Sequence, residues 1–134
     1  MPILRKNNKI IYPELSYTLC GLCFKVHNEL GRFRNEKQYA DALEALLKKK
    51  NDLKYKRETA LSSSFQGERP RRNIPDFIIE DKIVLDLKAK SQITKEDYYQ
   101  MQRYLVSSNK KLGIVVNFRR INLQPKRILN PKFK

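Results

Sequence analysis

The chain has 134 residues, with 29 lysines and arginines against 14 aspartates and glutamates, which gives a formal net charge of +15. Its length suits one domain, and no apolar run approaches the ~20 residues that cross a bilayer. The N-terminus also lacks the apolar segment of a secretory signal. We therefore expect a single cytoplasmic domain over residues 1–134 that does not enter a membrane.

The positive charge increases towards the C-terminus. No acidic residue occurs between Lys110 and Lys134, and the sequence predicts a basic C-terminal segment from about residue 119. Self-repulsion of this size is commonly tolerated where the partner is a polyanion, so we expect nucleic acid as the partner. A membrane surface and a purely solubilising role are the alternatives that charge alone leaves open.

Two helices are predicted in the N-terminal third. The first spans Pro13 to Leu30, because its apolar residues follow helical spacing and Gly31 ends it. The second runs from Glu36 to about Lys50, behind Asn35 as a favourable N-cap. Both segments are long enough for an apolar face that packs on a sheet.

The first helix contains the C-x-x-C pair of Cys20 and Cys23. Such a pair can be a redox motif or half of a zinc site. There is no second pair, and His27 is the only histidine. We therefore interpret both cysteines as small core residues.

The rest of the chain alternates strands with one helix. Strands are predicted at Leu53–Gln66, Arg72–Ile79 and Lys82–Ala89. A helix follows Thr94, which forms a capping-box-like pair with Asp97. A fourth strand is predicted in KKLGIVVNF, and an edge strand or extended tail in RINLQPKRIL. The order ααβββαβ indicates a crossover between the third and fourth strands, and therefore an α/β fold with a mixed sheet.

Charged residues interrupt one face of the second and third strands. Side chains alternate along a strand, so Asp86 and Lys88 share a face, and Asp76 converges on Asp86 if the strands are neighbours. Two carboxylates suit Mg²⁺, with water and phosphate in the remaining positions. A nearby lysine can orient or deprotonate the attacking water, which indicates metal-assisted phosphodiester hydrolysis. The alternative is a solvated hairpin with an Asp–Lys ion pair worth about 0–1 kcal/mol.

Three further features fit this interpretation. Glu36 opens the second helix on its apolar face, where it can supply another oxygen ligand or stabilise the helix dipole. Gln100 and Tyr104 are four residues apart on one helical face. Both can hydrogen-bond a phosphate or a water, or can simply make the helix amphipathic. Pro75 precedes Asp76 and completes a PD dipeptide.

The order of glutamate, PD, D-x-K and Q-x-x-x-Y resembles the PD-(D/E)XK nuclease superfamily and its RecB-type exonuclease branch. More narrowly, the chain is similar to the small bacterial GxxExxY proteins, from about Val26 to Asn117. The resemblance matches Glu36 and Tyr39 to the helix motif, Asp76 to PD, Asp86 and Lys88 to (D/E)-x-K, and Gln100 and Tyr104 to Q-x-x-x-Y.

Two positions depart from the family pattern. Phe33 stands where the namesake glycine is expected, so a turn that needs a positive φ there would be strained. Asp86 stands where close relatives more often have glutamate, which is one methylene longer. The first departure bears on how the second helix begins, and the second on the reach of a metal ligand.

The resemblance implies a restriction-endonuclease-like core, in which helices flank a central mixed β-sheet. It implies Mg²⁺-dependent hydrolysis of nucleic-acid phosphodiesters, DNA in the first place, with Mn²⁺ as an alternative ion. It also implies that a homodimer could bring two sites to two strands. Two other hypotheses stay open: a catalytically inactive nucleic-acid-binding module of the same fold in a larger complex, and an interaction protein without nucleic acid.

The resemblance also assigns roles to the site residues. Asp76 and Asp86 would ligate the metal, and Glu36 would assist directly or through water. Lys88 would position or activate the nucleophilic water. Gln100 and Tyr104 would orient the phosphate or the water.

Overall fold

The computed structural model describes residues 10–133, which begin with two helices. Helix α1 spans Pro13–Leu30 and helix α2 spans Glu36–Lys50, as the apolar spacing predicts. The Asn35 side chain accepts a hydrogen bond from the N–H of Gln38, and the Gln38 side chain accepts one from the N–H of Asn35. This capping box confirms the predicted N-cap and fixes the position of Glu36 at the first turn.

Residues 10–133 contain five strands, which form one sheet in the order β1-β2-β3-β4-β5. Strands β3 and β4 are parallel, and every other neighbouring pair is antiparallel. A third helix, α3, provides the crossover between the parallel strands. The predicted α/β class with a central mixed sheet flanked by helices is therefore confirmed. The bounds are β1 Tyr55–Arg57, β2 Phe77–Ile79, β3 Ile83–Lys88, α3 Lys95–Ser108, β4 Leu112–Asn117 and β5 Lys126–Leu129.

The first two strands are much shorter than the sequence predicts. Strand β1 ends before Glu58, whose φ of 51° is left-handed and interrupts the extended backbone. Strand β2 begins only after Pro75, which has no N–H to donate to a ladder. The connecting segment is a loop in which Glu68 accepts hydrogen bonds from the N–H and Oγ of Ser64 and from Nδ2 of Asn73. Two backbone hydrogen bonds still join the two sides of this segment, and the side-chain bonds of Glu68 hold its turn.

The sheet has one apolar face and one mixed face. On the first face, the side chains of β3 and β4 pack with α1 and α2 in a single buried cluster that includes Ile83, Leu85, Leu87, Leu112, Ile114 and Val116. On the second face, the sheet packs against α3 in a smaller cluster of Val84, Val115, Met101, Tyr104, Leu105 and Ile128. Asp86 and Lys88 follow Val84 on this second face.

A glycine sets the distance between α3 and the sheet. A Cβ added at Gly113 in β4 would stand only 2.3 Å from Sδ of Met101 and 2.7 Å from its Cγ. Met101 is almost completely buried. Gly113 therefore lets the helix that contains Gln100 and Tyr104 pack closely on the strands that contain the charged residues.

The cysteines lie in or beside the core. Cys23 is fully buried in the cluster beneath α1 and α2, and Cys20 is half-buried beside it. Burial, with a smaller contribution from Cys20, raises the pKa of the Cys23 thiol. Both thiols are free, and residues 10–133 hold no group of three or more His, Cys, Asp or Glu side chains arranged for a metal. No helix of that part of the chain is long and apolar enough to cross a membrane.

Candidate active site

The antiparallel pairing of β2 and β3 brings the two aspartates together. Phe77 pairs with Leu85 in the register of this hairpin, so Asp76 and Asp86 are the next opposing residues. The N–H of Asp76 donates to Oδ1 of Asp86 at 3.2 Å, and the N–H of Leu87 donates to Oδ2 of Asp76 at 2.7 Å. Each carboxylate is thus held by a backbone amide of the opposite strand.

The electrostatics of the pair are unfavourable without a further cation. Asp86 is 5% exposed and Asp76 is half-buried. Burial and the charge of Asp86 raise the pKa of Asp76 to about 7, although the Leu87 N–H opposes the shift. Two carboxylates that share a site in this way disfavour each other's ionisation. A bound dication would remove that repulsion.

The donor set fits Mg²⁺ rather than a metal held wholly by protein. Mg²⁺ is usually bound through one or two carboxylates, with waters and substrate phosphates in its other positions. Asp76 and Asp86 supply two such carboxylates on one sheet face. Within the described residues no third ligand of the His, Cys, Asp or Glu type stands close enough to complete a protein cage.

Lys88 is the cation already present. Its Nζ lies 3.0 Å from Oδ2 of Asp86, donates to Oε1 of Gln100 at 2.8 Å, and lies 3.8 Å from Oδ1 of Asp97. Burial lowers the pKa of Lys88, but the neighbouring Asp86, Asp97 and Glu36 outweigh it, so the pKa lies above its usual value. The side chain is therefore an ammonium, suited to positioning water and stabilising phosphate charge more than to removing a proton.

Asp97 is a site neighbour that the sequence identified only as a helix cap. It does cap α3: its Oδ2 accepts from the N–H of Thr94 at 2.8 Å. The same oxygen accepts from Nζ of Lys90 at 2.8 Å. Burial raises the pKa of Asp97, but its Lys90 and Thr94 partners outweigh it and leave the pKa below the usual value. The signal in the sequence was Lys90, which continues the alternation of Asp86 and Lys88.

Gln100 and Tyr104 lie on the sheet-facing side of α3, with different partners. Gln100 contacts Lys88, as described above. The Tyr104 hydroxyl donates to the carbonyl oxygen of Ile74 at 3.3 Å, just before the PD dipeptide. Burial, and then the charges of Asp86 and Asp76, raise the pKa of Tyr104. The phenol therefore keeps its proton and can act as a donor.

Glu36 stands at the rim rather than inside the pair. It is exposed at the start of α2. Its Oε2 accepts a long, weak hydrogen bond from the N–H of Ala89, at 3.4 Å. Its charge still contributes to the raised pKa of Asp76 and of Lys88. This position suits assistance through water more than direct metal contact.

Tyr39, the other matched residue of the α2 motif, supports the fold. Its hydroxyl donates to the carbonyl oxygen of Gly31 at 2.6 Å, and its buried ring stacks on Phe118 with centroids 4.3 Å apart. Gly31 has a φ of 79°, whereas Phe33 is not among the positive-φ residues of the described chain. The expected strain at Phe33 is therefore not observed, because the unusual backbone conformation falls on Gly31.

A cavity of about 490 Å³ adjoins Gln100 and Tyr104. We call it the arginine cavity, because Arg69, Arg72 and Arg103 line it. Its one carboxylate, Glu68, is occupied by Ser64 and Asn73 in the loop before β2. In residues 10–133, no carboxylate lies within ion-pair distance of the three guanidinium groups. The cavity is a positively charged recess beside Gln100 and Tyr104.

One comparison with known proteins identifies a family, and two find no match. A protein-family model described as the PD-(D/E)XK nuclease superfamily matches residues 13–128, which include every candidate site residue. No curated protein and no solved structure matches the chain.

Proposed function

Because the chain belongs to the PD-(D/E)XK nuclease superfamily, we propose that it hydrolyses phosphodiester bonds of nucleic acid, with DNA as its substrate and Mg²⁺ or Mn²⁺ as its cofactor. The observation that carries the proposal is the group formed by Asp76, Asp86, Lys88 and Gln100 on the α3 face of the sheet. A structural ion pair would need only one of the two carboxylates.

Asp76 and Asp86 would hold the metal, and Glu36 would hold one of its waters. A dication bound there supplies Lewis-acid polarisation of the phosphate and a more acidic water. The protein's own part is to keep both carboxylates in place, which the amides of Asp76 and Leu87 do. Because those hydrogen bonds stabilise the carboxylates without a metal, little rearrangement should accompany metal binding.

Lys88 would position the nucleophilic water and stabilise the charge that develops on the phosphate. Gln100 accepts a hydrogen bond from Lys88 through Oε1, which leaves its amide N–H groups to donate to a phosphate oxygen. Tyr104, on the same face of α3, would orient the phosphate or the water by exchanging its long hydrogen bond to Ile74 for one to the substrate. A fixed set of donors aimed at developing charge is the commonest source of a large rate enhancement.

The arginine cavity would receive the strand next to the scissile phosphate. Arg69, Arg72 and Arg103 present planar donors that suit phosphate oxygens. The formal charge of +15 favours association with a polyanion in general. The substrate would then run from the arginine cavity past Gln100 to the aspartate pair. The homodimer inferred from the resemblance stays a prediction.

The proposal is tested by cleavage of end-labelled DNA with Mg²⁺ or Mn²⁺. We expect Asp86→Asn, Asp76→Asn and Lys88→Ala each to lower the cleavage rate by at least about 100-fold. Each should leave DNA affinity within a few-fold. The matched control is Asp81→Asn, because Asp81 is an exposed aspartate of the same hairpin whose carboxylate pairs with Lys110 instead. Its cleavage rate should equal that of the unaltered protein.

Two results would reject catalysis. If the unaltered protein binds DNA but does not cleave it with either metal, the chain is the inactive binding module of the same fold. If cleavage survives in all three site variants, the activity comes from elsewhere or from a contaminant. A loss in Asp81→Asn equal to that in Asp86→Asn would mean that the hairpin, rather than the carboxylate pair, is being perturbed.

A further inference from the structure

A second charged surface lies beyond the C-terminal ends of β3 and β4. Its centre is Phe33, which is 77% exposed between α1 and α2. The guanidinium carbon of Arg32 lies 4.9 Å from the centroid of the Phe33 ring, and that of Arg119 lies 6.0 Å from it. We call these three residues the Phe33 platform. A large aromatic residue left in solvent beside two cations contributes little to a core.

The two arginines of the Phe33 platform are held rigidly by backbone groups. Nε of Arg32 donates to the carbonyl oxygen of Arg119, and Nε of Arg119 donates to that of Arg32, both at 2.8 Å. Nη2 of Arg119 also lies 3.4 Å from the carbonyl oxygen of Arg34. Further N–H groups of both guanidiniums stay available, and in the described chain no carboxylate lies within ion-pair distance of them.

The Phe33 platform borders a cavity of about 580 Å³ that contains no acidic group. Arg32, Arg119 and Arg120 line this cavity, together with the polar residues Ser91, Asn122 and Gln124. The volume falls within the usual range of pockets that hold small ligands. Three cations with neutral hydrogen-bonding groups fit a phosphate-bearing ligand better than an apolar or basic peptide.

This surface is joined to the candidate active site by Asn117. Its Oδ1 accepts from the N–H groups of Lys90 and Arg119, and its Nδ2 donates to the carbonyl oxygen of Lys90. Ser91 follows Lys88 by three residues, a span of at most about 11 Å. Glu36 opens α2 three residues after Phe33. One bound strand could therefore reach both places.

We propose that the Phe33 platform is a second nucleic-acid subsite that takes an unpaired nucleobase. The base stacks on the exposed ring, while Arg32, Arg119 and Arg120 contact the flanking phosphates. Bases within a duplex are already stacked on one another, so an aromatic platform selects bases that are free of the helix. The inference rests on the proposed function in one respect, that the partner is nucleic acid. It narrows the substrate to strands with a single-stranded segment near the cut.

The test measures binding without metal, so that no cleavage occurs. A fluorescein-labelled oligothymidylate and a blunt duplex are titrated with the protein in EDTA, and fluorescence anisotropy gives the Kd. We expect Phe33→Ala to weaken single-strand binding about tenfold, which equals about 1.4 kcal/mol and is a usual contribution of one base stacked on an aromatic side chain. Duplex binding should change less than about twofold, and Phe33→Trp should retain single-strand affinity.

The matched control is Tyr17→Ala. Tyr17 is an 83% exposed aromatic residue of α1, and it lies about 20 Å along the helix from Leu30. Its removal should leave both Kd values unchanged. A second readout uses 2-aminopurine in the single strand: the unaltered protein should quench its fluorescence, and Phe33→Ala should lose the quenching. Because Phe33 is exposed, the melting temperature should not change.

Equal losses for single strand and duplex, or a Phe33→Ala variant that behaves like Tyr17→Ala, would overturn the proposal. A change in self-association without a change in nucleic-acid affinity would show that Phe33 contacts protein instead, and would overturn it as well. The outcome is separable from catalysis. If the unaltered protein cleaves nothing but loses quenching in Phe33→Ala, nuclease activity fails and the subsite stands.

Discussion

The two faces of the sheet use neighbouring residues of one strand for different purposes. Leu85 points into the cluster beneath α1 and α2 and is fully buried, whereas Asp86 points towards α3 and is 5% exposed. Both are buried, but only the first is surrounded by apolar atoms. The apolar face should therefore supply most of the free energy of unfolding, which leaves the α3 face able to hold groups that do not stabilise the fold.

On the α3 face, the charged groups are less favourable for stability than apolar side chains would be. Its buried cluster has six apolar residues, and beside it lie the carboxylates of Asp76 and Asp86 with the ammonium of Lys88. A repelling carboxylate pair is unfavourable in a folded protein unless a ligand repays it. The contrast between the faces therefore separates residues kept for stability from residues kept for chemistry.

The largest expected effect is that two adjacent residues differ in what their substitution changes. Leu85 should matter mainly for stability, and Asp86 mainly for cleavage. Leu85→Ala should lower the free energy of unfolding by about 2–5 kcal/mol, because it removes a fully buried side chain and leaves a cavity. Asp86→Asn should lower it by no more than about 1 kcal/mol, because the lost pair with Lys88 is offset by relief of repulsion with Asp76. Urea denaturation monitored by circular dichroism measures both.

Cleavage should rank these variants in the opposite order. At a temperature where Leu85→Ala is folded, it should retain most of its activity, and Asp86→Asn should retain almost none. If Asp86→Asn unfolds as readily as Leu85→Ala, then Asp86 is a structural residue and the contrast between the faces is wrong.

How much of this the sequence predicts depends on the range of the interactions involved. Both N-caps, Asn35 and Thr94, were predictable because a capping box involves residues only three apart. The meeting of Asp76 and Asp86 was predictable because a short hairpin fixes register once two strands are known to be neighbours. Alternation along β3 then decides which face each side chain takes.

Features that depend on contacts distant in the chain were not predictable. Nothing near Glu68 in the sequence indicates that its carboxylate holds Ser64 and Asn73, both placed in predicted strands, within the loop. Asp97 was identified as a cap, but its contact with Lys88 depends on how α3 returns to the sheet. The Phe33 platform requires Arg119, which is 86 residues further along the chain. Phe33 alone was only a departure from a motif.

The next effect tests how closely α3 must approach the mixed face. Gly113→Val should lower the free energy of unfolding by about 1–3 kcal/mol, because its side chain would overlap Met101. The shift of α3 should also move Gln100 away from Lys88 and lower the cleavage rate. The matched control is Gly21→Ala, since Gly21 lies in a helix and a Cβ there meets nothing within 4 Å. It should be neutral or stabilising. Equal stability of the Gly113→Val and unaltered proteins would show that the packing of α3 on β4 can accommodate the larger side chain.

The smallest expected effect tests whether a bound dication offsets the repulsion between the carboxylates of Asp76 and Asp86. Any ligand that binds only the folded state raises its stability by RT ln(1 + [L]/Kd), which is about 1.4 kcal/mol at ten times Kd. Mg²⁺ or Mn²⁺ should therefore raise the melting temperature of the unaltered protein by a few degrees. Asp76→Asn and Asp86→Asn should lose this increase, while Asp81→Asn, whose carboxylate pairs with Lys110 at the other end of the hairpin, should keep it. An equal increase in all four proteins would mean that the ions act through general screening, and that the mixed face holds its carboxylates without a metal to balance them.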